Sequence, residues 1–314
     1  MHPWVIKRLL GALLTVWASV TLAFFALRVV PGDAIASQLL QGGASEADVA
    51  ARRAALGLDD PLTVQYINYL AGLVRGDLGR SLLNRQPVST LIAEQFGATA
   101  ALAVSALTVA LLVGLALGSV EAVYWPRLPG RLAGIVSLLA LSTPVYWSGS
   151  LAILLFSAGL GLLPATGSGD TAHLILPAAV LGFHVSGSIA RVTRASLRRT
   201  SGTDFVRTAR AKGLRARRVF THHVLRVGLL PVVAVVALQT GFLLGGTVIT
   251  ETLFARQGIG QLLRDAILDQ DFPVVQGVVA LSAAIYSLVS AAADLLYGLL
   301  DPRVRVEGGH QEHD

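Results

Sequence analysis

The sequence predicts an all-α integral membrane protein with six transmembrane helices and both termini on the cytoplasmic side. Three observations carry that prediction. Of the 314 residues, 54% are hydrophobic and only 14% charged, where a soluble domain is about a quarter charged. Six stretches are apolar and long enough to cross ~30 Å of hydrocarbon at ~1.5 Å per residue. The basic residues also fall mostly on one side of those stretches, as the positive-inside bias requires.

The first stretch, 9–30, follows Lys7 and Arg8. A signal peptide is the rival reading, with Ala34-Ile35-Ala36 as its cleavage site. The apolar run exceeds the ~7–15 residues of a signal core, however, so an uncleaved first span (1–30) is expected. Residues 31–96 then form a long outer region. In it "SEADVAARRAALGL" and "PLTVQYINYLAGLVRG" read as helices capped by Ser45 and Thr63. The second puts Leu62, Tyr66, Tyr69, Leu70 and Leu73 on one stripe. That pattern suits a helix on the outer membrane surface, or equally a small cap packed over the spans.

The core, 97–300, holds the remaining spans at 97–120, 132–158, 174–190, 228–250 and 274–299, with a long inner loop at 191–227 and a polar tail at 301–314. Pro144 removes a backbone hydrogen bond inside the third span and should kink it. Ser142, Thr143, Tyr146 and Trp147 surround it, a grouping that suits a lined pathway or gate as well as simple packing. Gly114 with Gly118, and Gly241 with Gly245, have the spacing that lets helices approach closely. Gly245-Gly246 would also give the fifth span flexibility. Glu251 closes that span on the outer side, and Asp294 lies near the inner end of the sixth. Ionisable groups near membrane depth are functional candidates. Glu251 is expected to face the pathway and Asp294 to pair with a nearby Arg. Ser142, Pro144, Tyr146, Gly245, Gly246 and Glu251 are thus the candidate path or gate residues.

Sidedness rests on counting. With the N-terminus inside, 17 of the 25 basic residues are cytoplasmic and seven lie in outer loops, Arg28 completing the set. Eleven of them fall between Arg191 and Arg226, where Asp204 is the sole acid.

Several chemistries are excluded. The chain has no Cys, hence no disulfide framework, iron–sulfur cluster or thiolate zinc site. Its two Lys, Lys7 and Lys212, are followed by Arg8 and Gly213, so there is no Walker-type phosphate loop. The His residues show no metal-ligand spacing, and no metal site is expected. His184, in the fourth span, reads as hydrogen-bonded packing.

The inner loop is the most informative segment. Ser201 or Thr203 can cap a short helix, with Asp204 favourable at the positive end of its dipole. Phe205, Val206 and Ala209 form a small apolar knob among Arg207, Arg210 and Lys212. Gly213 can take the left-handed conformation that ends such a helix, and a second helix, 214–225, should turn Val219, Phe220, Val224 and Leu225 to the membrane. An anchor on anionic lipid accounts for the charge. A nucleic-acid patch lacks aromatic platforms, and no nucleic-acid partner is expected. A docking element for a cytoplasmic partner explains the helix, the knob and the glycine together.

"DFVRTARAKGL" followed by "HHVLRVGLLP" resembles the EAA loop of ABC importer permeases, in the form used by the dipeptide/oligopeptide/nickel branch. The resemblance runs through "RVVPGD" (28–33), "LGLDDPLTVQYINYLAGLVRGDLGRSL" (56–82), "LSTPVYW" (141–147), "LLPATGSG" (162–169), "HLILPA" (173–178), "GGTVITETLFARQGIGQLL" (245–263), "DFPVVQG" (271–277) and "DLLYGLLDPRVR" (294–305). Thr208-Ala209-Arg210 replaces the Glu-Ala-Ala that names the loop, and Val227 stands where the family usually has Asn.

The resemblance implies a type I ABC importer permease fold in the bacterial inner membrane. It also implies a second homologous permease, one or two cytoplasmic ATPases that bind the ATP and Mg, and an extracytoplasmic substrate-binding protein. Thr203, Asp204, Phe205, Arg207, Thr208, Ala209, Arg210, Lys212 and Gly213 would form the coupling helix seated on the ATPase. The cargo would be a peptide or a related solute such as a nickel chelate, and the chain itself would bind no cofactor. The alternative is a polytopic membrane enzyme acting on a lipid-linked substrate, against which no catalytic set gathers at one depth.

Overall fold

An apolar chain in hydrocarbon can satisfy its amides only within a helix or a closed barrel. Among its described residues the computed structural model is helical apart from turns, short loops and one isolated bridge between Arg80 and Pro87. It describes residues 3–29, 45–55 and 57–300, the side chains of 3–7, 52, 244–246 and 294–300 excepted. The tail at 301–314 and the 30–44 segment lie outside the described residues.

In chain order the helices are α1 (Pro3–Val29), α2 (Glu46–Ala55), α3 (Leu62–Val74), α4 (Val88–Tyr124), α5 (Leu128–Ser142) and α6 (Val145–Ala152), which runs on as a π-helical stretch (Ile153–Gly159). Then come α7 (Ala172–Ser201), α8 (Asp204–Ala211), α9 (Ala216–Val219), a π-helical turn (Phe220–Val224), α10 (Leu225–Gly228), α11 (Leu230–Gly246), α12 (Val248–Leu253), α13 (Ile259–Leu268) and α14 (Phe272–Leu300).

Among the described residues, four of these helices, α1, α4, α7 and α14, are each long and apolar enough to cross a membrane. Two bent pairs raise the number to six if each pair is one span: 128–142 with 145–159, bent by 107°, and 216–228 with 230–243, bent by 50°. Both bends sit at prolines. The expected kink at Pro144 is a full break. Thr143, directly before it, is extended (φ −82°, ψ 124°), as the clash with a following proline ring demands. Pro144 is the N-cap of α6, outside the helical hydrogen-bond ladder, so its missing N–H costs nothing there. Pro177 lies inside α7 without breaking it.

α4 and α7 form the centre. Leu102, Ala106 and Ala110 meet Leu181, Val185 and Ile189 in one fully buried cluster. The two helices approach closely because glycines line the seam. A Cβ on Gly118 would lie 2.5 Å from the Ala190 carbonyl oxygen, and one on Gly114 2.8 Å from Ile189. Close backbone approach of this kind is what holds helices together where lipid removes the hydrophobic drive. α14 packs along α1 and α11.

At the end of the bundle away from the basic loop, Val88 and Ile92 of α4 pack with Ile259 and Ala266 of α13 and with Val274, Val275 and Val278 of α14. Asp271, at the head of α14, is buried and accepts hydrogen bonds from the Ser81 hydroxyl and, at 3.1 Å, the Leu82 N–H. The turn before α4 is thereby fastened to α14.

Ser45 caps α2, its hydroxyl accepting the Asp48 N–H at 3.3 Å while the Asp48 carboxylate accepts the Ser45 N–H. Thr63 is not the cap of α3: Pro61 holds that position, and its carbonyl accepts the Val64 and Gln65 N–H groups. α3 lies against α1. Phe24 is buried beneath Tyr66 and Tyr69, with ring centroids at 5.2 and 5.5 Å. Tyr66 shares a 2.6 Å hydrogen bond with Thr21, and Arg28 donates to Gln65 at 2.9 Å. Tyr66 and Tyr69 of the stripe thus face protein, whereas its first member, Leu62, is exposed, as are Val64, Ile67 and Val74 of the opposite face. Burial pushes the Tyr69 phenol up to about 12.

Candidate functional site

The basic loop is built as a helix held from behind. Thr203 is extended and directs its hydroxyl back to the Thr200 carbonyl (2.6 Å), and α8 begins at Asp204. Asp204 and Arg207 are 3.3 Å apart and largely exposed, an ion pair worth little in water. The helix ends in a Schellman turn. Gly213 is left-handed (φ +76°), its N–H donating to Arg210 and that of Leu214 to Ala209.

The apolar knob divides. Val206 and Ala209 are buried against Leu197, Val219 and Val224, with Leu214 beside them. Phe205 points away and is 44% exposed. Arg207, Thr208, Arg210, Lys212 and Gly213 are exposed around it. The loop therefore presents one aromatic ring in a cationic field, on a helix whose rear face is anchored.

The second helix of the loop differs from expectation. It starts at Ala216, loosens into a π turn over Phe220–Val224 and resumes at Leu225. Val219 and Val224 face α7 and α8 instead of the membrane, because the Schellman turn folds α9 back over α8. Between this turn and the nearby end of α4 lies a cleft of ≈ 630 Å³, lined by Ser119, Tyr124, Arg210, Arg217 and Phe220 among others.

Ser142, Pro144 and Tyr146 are exposed at the break between α5 and α6. The Ser142 hydroxyl donates to Leu138, and His184 Nδ1 donates to the Thr143 carbonyl at 3.3 Å. The backbone of Gly245 and Gly246 completes α11, and their surroundings lie outside the described residues, as does the Asp294 side chain.

Glu251 is fully buried. Its Oε1 accepts from the hydroxyls of Thr99 (2.7 Å) and Thr247 (2.8 Å), and its Oε2 from the N–H groups of Gly260 (2.7 Å) and Gln261 (3.1 Å). Thr99 in turn accepts the Ile259 N–H at 2.8 Å. In this conformation the carboxylate caps α13 and touches no open space.

One charged cluster escaped the sequence reading. Glu121, buried near the basic end of α4, pairs with Arg194 of α7 at 3.1 Å, and Arg194 lies 5.2 Å from the Trp125 ring. The available signal was Glu121 itself, the sole acid between Glu94 and Asp170. Among the described residues, no three His, Asp or Glu side chains are placed to hold a metal ion.

Residues 110–306 match the family described as binding-protein-dependent transport system inner membrane component, and residues 1–103 match its N-terminal companion. The glutathione transport system permease protein GsiC of Escherichia coli O6:H1 is 38% identical over 306 residues, covering 97% of this chain and 99% of the relative. GsiC of Salmonella typhimurium matches at the same identity and coverage. Among solved structures, an inward-facing crystal form of the MetNI methionine ABC transporter superposes with a TM-score of 0.58 at 17% identity, covering 68% of this chain and 97% of that one. An amino acid ABC transporter crystallised with histidines gives 0.51 at 15% identity, covering 68% and 94%. At these identities the two structures speak for the fold alone.

Proposed function

The chain belongs to the binding-protein-dependent transport system inner membrane components, the permease subunits of bacterial ABC importers, and we propose that with a second homologous permease it forms the alternating-access path for a peptide or a related small solute. In this reading each bent helix pair is one span, giving six, and the basic end of the bundle is cytoplasmic together with both termini. The chain is a translocation subunit and carries out no chemistry. ATP and Mg are bound by one or two partner ATPases, and cargo arrives on an extracytoplasmic binding protein.

The observation that carries the proposal is the construction of α8. Val206 and Ala209 fix its rear to the bundle, and Phe205 stands free among Arg207, Arg210 and Lys212. A rigid helix with one exposed anchor residue is the form a groove on a partner can grip. ATP binds the closed form of an ATPase dimer more tightly than the open form, and that difference in affinity is what can move the permeases. α8 is the lever, and α9 to α11 lead from it into the fifth span. Thr203, Asp204, Thr208 and Gly213 shape and end that lever. The break at Pro144, with Ser142 and Tyr146 exposed beside it, is the proposed lining of the path. The glutathione permeases among the relatives favour a peptide-like cargo over a nickel chelate.

Purification of the tagged chain from its host in mild detergent, with mass spectrometry of what accompanies it, tests the reading. Recovery of a P-loop ATPase and a second permease is expected. A permease recovered alone, from membranes that still contain those ATPases, would overturn it.

A further inference from the structure

An ionised carboxylate taken out of water must have its oxygens filled by donors, or it is strongly destabilising. Glu251 meets that demand with groups from three elements. Thr99 belongs to α4, Thr247 is the link between α11 and α12, and Gly260 and Gln261 are the first turn of α13. The site is shaped for the carboxylate. A Cβ on Gly258 would overlap it, and one on Gly260 would lie 2.9 Å from Oε2. Its charge lies at the N-terminus of α13, where the helix dipole favours an anion.

Resting on the importer reading above, we infer that Glu251 is a positioning residue that locks the outer hairpin of α12 and α13 onto α4, so that motion entering at α8 and travelling along α11 reaches the outer end of the bundle without slack. The lock is specific in its chemistry. Four N–H and O–H donors converge on two acceptor oxygens, so an amide in place of the acid turns an NH₂ toward one pair of donors. The Thr99 hydroxyl is its second part, because it donates to Glu251 while accepting from Ile259. A methyl in place of that hydroxyl breaks both bonds, and a serine keeps both.

The test uses the whole complex in proteoliposomes, with radiolabelled glutathione as the probe and hydrogen exchange of peptide 258–268 read in parallel. Glu251→Gln and Thr99→Val should speed exchange of the Gly260 and Gln261 amides about tenfold or more, as local opening demands. They should also cut the solute moved per ATP hydrolysed by about tenfold, within the range usual for coupling between sites. Thr99→Ser should retain both values. A merely structural role would lower abundance, transport and hydrolysis together with their ratio intact, and that result would overturn the inference. So would faster exchange with an unchanged ratio. If the unmutated complex hydrolysed ATP and moved no glutathione or other peptide, the peptide cargo would fall and the lock would stand or fall on exchange alone: unaltered exchange in Glu251→Gln would overturn it.

Discussion

The Arg194 guanidinium lies 3.1 Å from the Glu121 carboxylate, joining α4 and α7 where the two helices leave their glycine seam. Glu121 is almost wholly buried and Arg194 about one-third exposed. Removing one partner of a fully buried pair costs ~3–5 kcal/mol, and a partly solvated arginine softens that to about 2 kcal/mol. Glu121→Gln should therefore lower the thermal midpoint of the detergent-solubilised chain by several degrees. Adding Arg194→Met should restore part of the loss, since an apolar pair leaves no orphan charge.

Gly213 offers a clean separation of strain from crowding. Its φ is +76°, and a Cβ built on it meets nothing within 4 Å. Any cost of substitution is thus backbone strain, about 1–2 kcal/mol for a residue forced into the left-handed region. Gly213→Val should reduce the ATPase recovered per permease, measured by quantitative mass spectrometry. Gly213→Asn should keep most of it, because asparagine tolerates this conformation.

Phe205 and Val206 are neighbours with opposite surroundings. Phe205→Asp should abolish ATPase capture and leave the thermal midpoint of the chain unchanged, since the ring is 44% exposed. Val206→Asp places a carboxylate at a position with no exposure and no partner. It should destabilise the loop by several kcal/mol, seen as rapid protease cleavage within 201–216. Equal effects of the two variants on stability would show that the division of the knob is wrong.

The Tyr69 phenol, pushed from 10.0 up to about 12 by burial, makes the seating of α3 sensitive to alkali. The folded state favours the neutral form. Its contribution is complete below pH 10 and is lost as pH rises toward 12. Tyrosinate absorbance should therefore show a late-titrating component that disappears in Tyr69→Phe. Loosening of α3 from Phe24 should follow the same pH window in exchange measurements.

What was legible in the sequence was what local chemistry decides. Ser45 as a cap, the left-handed glycine at 213 and the close approach at Gly114 and Gly118 follow from side-chain type and spacing. Pro144 was legible as a disturbance, but its size was not: a proline alone does not reveal whether the helix bends or stops, and the extended Thr143 stops it. Burial was the least readable quantity. In a membrane segment, lipid-facing and protein-facing positions are equally apolar, so Val20 at 2% exposure and Leu22 at 70% look alike in sequence. The partners of Glu251 were hidden for another reason, since Thr99 lies 152 residues earlier and only the assembled fold brings the two together.

The buried carboxylate also dictates an order of events during biogenesis. Thr99 enters the membrane with α4, long before the ribosome reaches Gly260 and Gln261. Until those two amides exist, Glu251 has only half of its donors, and taking its charge out of water would be costly. The hairpin must therefore stay open to water until α13 has been made and has wound its first turn. On this chemistry the last donors Glu251 needs are supplied only once residue 261 has been made, so this face is expected to close late.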